Sequence, residues 1–217
     1  MPEYDHVAHL YDEHYSRPVD RWEDERLTRL LRPWVDDAEV LDLGCGTGWV
    51  LDHLAPFAYI GVDCSEPMLG RLLAKHPNSE VHLRDVDVPG WESGLGTFDV
   101  AVSTWAGNYF SDLGRLLDDL ATVVKPGGVI ALHGQGPRRR TRGHYLAGEA
   151  FTGGHDWTPA EFKRATWVAP VEYLGAWGTG ALADPLPGPG GRVAWTLAST
   201  LTPPAHHYGI LGAWRVL

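Results

Sequence analysis

The string Val40-Leu41-Asp42-Leu43-Gly44-Cys45-Gly46-Thr47-Gly48 constrains this chain more than any other. An apolar run too short for a helix ends in three alternate glycines, and the segment Trp49 to Leu54 follows at once. Such a pattern dictates a buried strand, a tight turn and a short helix. Glycine accepts positive φ and lets a ligand approach the backbone, and the helix start behind it presents N–H groups. The dinucleotide fingerprint G-x-G-x-x-G needs glycine at position 49, where Trp49 stands, so a pyrophosphate is disfavoured. Asp42, just ahead of the turn, would oppose a pyrophosphate and suits a ligand with cationic groups.

The first strand spans Glu39 to Leu43 and the second Ala58 to Val62, closed by Asp63. Ser65 is a good N-cap and Pro67 sits where a helix accepts proline, so Met68, Leu69, Leu72 and Leu73 form a buried face up to Lys75. Val81 to Leu83 and Phe98 to Val102 read as further strands. Asp112 to Val124 carries Leu113, Leu116, Leu117, Leu120 and Val123 at helical period, stopped by Pro126-Gly127-Gly128 before a fifth strand at Val129 to Leu132. Strict alternation of strand and helix argues a mostly parallel sheet with helices on both faces.

Upstream, Tyr4, Tyr11 and Tyr15 lie in a turn-rich segment, and Pro18 ends any helix before it by excluding the helical conformation at Arg17. Val19, Trp22, Leu27, Leu30, Leu31 and Trp34 then space out an amphipathic surface helix ending at Pro33. Downstream the alternation lapses. Gly134 to Gly154 is rich in glycine and arginine, Thr158 to Trp167 looks helical, and Asp184 to Gly191 is a proline-glycine loop. Val193 to Ser199 and His207 to Val216 read as two closing strands joined by a turn around Thr202 to Ala205, an antiparallel pair at the sheet edge.

Composition narrows the function. The chain has 217 residues, 44% of them hydrophobic and 21% charged, which suits one domain with a sizeable core. With 18 Lys and Arg against 28 Asp and Glu the net charge is −10, which disfavours a nucleic-acid partner. No stretch approaches the roughly 18 to 20 apolar residues of a membrane span, and no signal-peptide core precedes Arg17. Two cysteines, Cys45 and Cys64, make neither a disulfide framework nor a four-ligand zinc site. The expectation is a cytoplasmic protein without a metal, acting on a small molecule with neither nucleic acid nor membrane as partner, as monomer or homodimer.

From about Val40 to Leu132 this register of motifs resembles the class I S-adenosylmethionine-dependent methyltransferases. The resemblance implies a Rossmann-like doubly wound, mostly parallel seven-stranded α/β sheet with helices on both faces and an antiparallel edge strand. It further implies S-adenosyl-L-methionine as cofactor, with S-adenosyl-L-homocysteine as product. The family's loop pattern matches Asp42, Gly44, Cys45, Gly46, Thr47 and Gly48, which would wrap the amino-acid end of the cofactor. Asp63, followed by Cys64 and Ser65, stands where an acid binds the ribose hydroxyls, and Met68 lies just beyond. Asp85 and Val86 stand where the adenine is contacted, with Asp87 as the alternative acid. Phe98 to Ser103 is similar to the fourth strand, and Val124-Lys125-Pro126-Gly127-Gly128 to the turn before the fifth. The chain divides accordingly into a helical lid (1–39), a cofactor-binding half (40–134), a substrate-covering insert (135–190) and closing edge strands (191–217).

Ligands in such sheets gather at the carboxyl ends of the strands, where strand order reverses. Acceptor-side candidates are therefore Ser103, Trp105, Asn108 and Tyr109 after the fourth strand, and His133, His144 and Tyr145 after the fifth. Tyr11, Tyr15 and Arg17 are expected to cover the cofactor, Arg17 facing its carboxylate. His144, Tyr109 and Tyr15 are the candidate catalytic residues, orienting or deprotonating an acceptor. Arg138, within Arg138-Arg139-Arg140-Thr141-Arg142, is either a receptor for a substrate carboxylate or phosphate, or part of a solvated loop or a partner contact. The implied activity is methyl transfer to an N or O acceptor on a small molecule, such as a natural product or anionic metabolite. The alternatives are a non-methylating S-adenosylmethionine-binding or cyclase-type protein, and a nucleic-acid or protein methyltransferase.

Overall fold

The computed structural model describes residues 4–16, 18–136, 144–146, 149–151, 158–164, 168–179 and 209–217. A single 3-10 turn at Ala8–Leu10 leads into α1 (Tyr11–His14), α2 (Pro18–Val35), β1 (Glu39–Leu43), α3 (Trp49–His53), β2 (Ala58–Asp63) and α4 (Glu66–Lys75). Then follow β3 (Glu80–Leu83), β4 (Phe98–Ser103), α5 (Leu113–Val123), β5 (Val124–Gln135), β6 (His144–Leu146), β7 (Glu149–Phe151), α6 (Pro159–Arg164), β8 (Val171–Gly178) and β9 (Gly209–Val216). Seven strands form one sheet in the order β3-β2-β1-β4-β5-β9-β8, and β6 and β7 make a separate hairpin. The first five strands pair in parallel, while β9 runs antiparallel to both β5 and β8. This is the Rossmann-like methyltransferase fold, and its strand order reverses between β1 and β4.

Period-two alternation divides the core between the two faces of the sheet. Val40, Val100, Val102, Ala131, Leu211 and Ala213 pack against Leu27, Leu31 and Val35 of α2 and Val50 of α3. Leu41, Leu43, Ala101, Ile130, Leu132 and Trp214 face Leu113, Leu116, Leu117, Leu120 and Val123 of α5. Asp112 caps α5 by accepting from Arg115 N at 3.0 Å, and Ser65 caps α4 through Met68 N at 3.4 Å. No helix among the described residues is long and apolar enough to cross a membrane.

Three local readings are corrected. The partner of β9 at the sheet edge is β8, Val171–Gly178, which lies inside the segment expected to cover substrate; Val193 to Ser199 lies outside the described residues. Helix α2 continues through Pro33 to Val35, since a proline in the last turn forfeits a single intrahelical bond. Helix α2 is amphipathic as expected, burying Leu27, Leu31 and Val35 and leaving Arg21, Glu25, Arg29 and Arg32 exposed. Leu73 is exposed, whereas Leu69 and Leu72 carry the buried face of α4.

Candidate active site

The glycine turn owes its shape to three left-handed residues, Gly44 (φ +62°), Gly46 (φ +52°) and Gly48 (φ +95°). A Cβ on Gly44 would sit 2.5 Å from the Ala106 Cβ, so only glycine lets the turn after β1 meet the turn after β4. The turn's N–H groups are spent internally: Gly44 and Cys45 donate to Val62 O, Gly46 to Asp63 Oδ2 at 2.8 Å, and Gly48 to Cys45 O. A phosphate cradle needs those donors free. Helix α3 behind them is only five residues long.

Asp63 is thus first a structural acceptor, its other oxygen taking Ser65 N at 2.8 Å. Burial pushes its pKa up, while the Ser65, Gly46 and Cys64 backbone donors pull it back. Partial burial, then Asp63 and Asp85, push the exposed Cys64 thiol up to about 11. Asp85 is exposed and accepts from Asp87 N at 2.9 Å; Val86 is buried and its carbonyl accepts from Arg115. Met68 packs under the turn, its Cε 3.4 Å from a Cβ position on Gly46.

Asp42 is fully buried at the base of the turn. Tyr59 donates its hydroxyl to Oδ2 at 3.0 Å, while Oδ1 has no partner. Burial drives this carboxyl up to about 8, with Asp63 adding to the rise and Tyr59 opposing it. Tyr59 was missed in the sequence, yet β2 carries its trace. Gly61, two residues on and therefore on the same face, has space for the Tyr59 ring only because a Cβ there would lie 2.9 Å from its hydroxyl. Cys45 is buried beside them with its thiol pushed up by burial, which marks a filler and no nucleophile.

The N-terminal segment spans three parts of the site. Thr47 donates to Asp12 Oδ1 at 2.6 Å, Ser65 donates to Asp5 Oδ1 at 2.6 Å, and the Tyr4 and Tyr109 hydroxyls share a hydrogen bond. Tyr11 packs its ring against Tyr4 at 5.7 Å and Tyr15 at 4.8 Å. Lys75 of α4 also reaches Asp12, at 3.4 Å. Asp5 and Asp12 carried no sequence signal, because their partners are distant in the chain.

After β4, Trp105 takes a left-handed φ of +62° and Gly107–Tyr109 form a 3-10 turn. Ser103 Oγ and both amide atoms of Asn108 are buried without a partner. His133 is not in a loop after the fifth strand: β5 continues to Gln135 between β4 and β9, and His133 is fully buried. Its pKa falls to about 3 through burial. The backbone of His144 and Tyr145 lies in β6, pairing with Phe151 and Ala150. Arg17, Arg138, Trp157 and Trp167 lie outside the described residues.

Residues 11–168, most of the chain, match the methyltransferase domain family. The chain belongs to that family. This methyltransferase domain is 31% identical over 187 residues to trans-aconitate 2-methyltransferase of Deinococcus radiodurans, spanning 76% of the chain and 70% of the relative. It is 32% identical over 149 residues to nocamycin O-methyltransferase of Saccharothrix syringae, of which it spans 50%. The fold matches an S-adenosylmethionine-dependent methyltransferase from Mesorhizobium loti with TM-score 0.64, 20% identity and coverage of 91% and 99% of the two chains. It also matches a Haloferax volcanii methyltransferase in complex with the Trm112 activator, with TM-score 0.68, 18% identity and coverage of 99% and 96%.

S-adenosylmethionine is the cofactor of this class, and the residues fit it. The turn offers no free N–H row to an anion. Beneath it lies a buried, half-satisfied carboxylate suited to a cation, and Asp63 and Asp85 share one edge.

Proposed function

We propose that this domain transfers a methyl group from S-adenosylmethionine to an oxygen or nitrogen of a small molecule, with an ionised carboxylate as the favoured acceptor. Asp63 would hold the ribose hydroxyls, Asp85 and Val86 the adenine, and Asp42 with the glycine turn the cationic amino-acid end. Tyr11, Tyr15 and Arg17 would close over them. When bound, S-adenosylmethionine supplies an electrophilic sulfonium methyl. The residues contribute alignment and exclusion of water.

The observation that carries the acceptor reading is the state of the bases beside Asn108. His133 lies on β5 beside that turn, and both its ring nitrogens are engaged in hydrogen bonds to Trp105 N and Thr179 Oγ1. Tyr109 is bonded to Tyr4, and burial, followed by the neighbouring Tyr109, raises the Tyr4 phenol far above its ordinary range. Among the described residues, then, these groups are poor proton acceptors. A carboxylate needs no deprotonation before attack, unlike an alcohol or ammonium group. The buried Asn108 amide offers it a donor. The relative from Deinococcus radiodurans, by its name a trans-aconitate 2-methyltransferase, supports the same class. The chain spans about half of some curated relatives' length, so their substrates do not transfer directly.

The test is release of S-adenosylhomocysteine from the full chain with trans-aconitate and short dicarboxylates, against phenols, alcohols and amines. Turnover confined to carboxylates is the expected result. Turnover confined to amines or alcohols would refute the acceptor class. Cofactor binding without release in any arm would favour the non-methylating alternative.

A further inference from the structure

A buried hydrogen-bond chain joins α2 to the turn after β4 from outside the cofactor floor. Trp105 N donates to His133 Nδ1 at 3.2 Å, His133 Nε2 meets Thr179 Oγ1 at 3.0 Å, and Thr179 Oγ1 donates to Glu23 Oε1 at 2.7 Å. The network fixes the histidine's form. Because Nδ1 accepts a backbone N–H it carries no proton, so the proton sits on Nε2 and is donated to the threonine hydroxyl. The hydroxyl in turn donates its O–H to the Glu23 carboxylate.

Two glycines show that the structure is built around this chain. A Cβ on Gly209 would lie 2.2 Å from Thr179 Oγ1, 2.6 Å from Glu23 Oε1 and 2.8 Å from His133 Nε2. A Cβ on Gly107 would lie 2.8 Å from the His133 carbonyl oxygen. The Trp105 ring stands edge-on to the imidazole at 4.4 Å. Asp24, the next acid of α2, accepts from Trp49 Nε1 at 2.7 Å. Arg26, three residues on, fastens the same helix to Gly178 O at 2.8 Å.

We propose that Glu23, Thr179 and His133 are positioning residues: they form a brace that holds Trp105 in its left-handed conformation and so sets the acceptor-side turn Trp105–Tyr109. The proposal rests on the reading of that turn as the acceptor side of a methyltransferase. The brace bonds the turn after β4 directly and meets the glycine turn only through Ala106, which packs on Gly44, so its loss should act first on the acceptor side. The Trp105 N–H holds the imidazole proton on Nε2, and the Glu23 carboxylate holds the threonine hydroxyl proton away from it. Without the carboxylate the hydroxyl proton is free to turn toward Nε2, where it meets the imidazole's own proton, so the single arrangement is lost. The fully buried, neutral imidazole agrees with this arrangement.

The experiment uses the full chain saturated with S-adenosylhomocysteine, labelled with nitrogen-15 histidine and fluorotryptophan, the Trp105 signal being assigned by Trp105→Phe. In the wild type His133 should show a bare Nδ1 and protonated Nε2. Glu23→Leu should lose the single tautomer and shift the Trp105 signal. Thr179→Val should lose the single tautomer, and Thr179→Ser should restore it. Gly209→Ala, which wedges a methyl into the chain without straining φ, should mimic Thr179→Val if that variant folds poorly. S-adenosylhomocysteine should still saturate every variant, which keeps the comparison to folded, ligand-bound protein. Unchanged His133 and Trp105 signals in Glu23→Leu and Gly209→Ala would overturn the brace. Failure of the wild type to bind S-adenosylhomocysteine would instead strike the functional reading beneath it.

Discussion

Asp42→Asn keeps the shape of the buried side chain and its acceptor for the Tyr59 hydroxyl, while removing the ability to ionise. In the folded protein burial holds the Asp42 carboxyl up to about 8, against about 4 for an unfolded aspartate. A carboxyl with a raised folded pKa leaves stability intact below about pH 4, then withdraws it as pH rises through 8, because the unfolded chain ionises freely and the folded one does not. Each tenfold difference in proton affinity is about 1.4 kcal/mol, so the withdrawal approaches roughly 5 kcal/mol at pH 8 and above. Relaxation around the charge reduces this, and a gain of about 2 to 5 kcal/mol for the asparagine variant is the expectation there. Urea unfolding of both proteins from pH 4.5 to 8.5 measures it. The two should be nearly equal at the acid end and diverge with rising pH in favour of the variant. Parallel curves, or a wild type that gains on the variant as pH rises, would refute the burial argument.

The same carboxyl predicts a linkage to the cofactor. If a cationic group must meet ionised Asp42, binding near pH 7 releases up to one proton, affinity climbs toward pH 8, and the calorimetric enthalpy varies with buffer ionisation heat. Asp42→Asn should abolish that variation. Gly44→Ala should cost about 2 to 4 kcal/mol in thermal or urea unfolding, since it combines φ of +62° with a Cβ 2.5 Å from that of Ala106. Gly70→Ala in α4, with nothing within 4 Å of its Cβ position, is the control and should gain up to about 1 kcal/mol.

What the sequence revealed was local. The Ser65 cap, the leucine period of α5 and the alternate glycines act within a few residues, so β1 to β5 and the cofactor turn could be read directly. What it hid depends on residues brought together from afar. Val171–Gly178 carries Tyr173, Gly175 and Trp177 without clean alternation, and its place in the sheet is set by pairing with β9. His133 read as a loop residue because the apolar run stops at Leu132, whereas pairing with Leu211 extends β5 past it. Asp12 on Thr47, Asp5 on Ser65 and Glu23 on Thr179 are surface acids by composition and become site residues only when the chain folds back.

The most direct test of the central claim is calorimetric titration of S-adenosylmethionine into the wild type and Asp63→Asn. Asp63 accepts from Gly46 N and Ser65 N with separate oxygens, so an amide turns one of those contacts into donor against donor and would also weaken the grip on two ribose hydroxyls proposed for it. Single-site binding by the wild type, weakened at least about ten-fold in a variant that still unfolds cooperatively, is the predicted result. No binding by the wild type, or equal affinity in both proteins, would contradict the account.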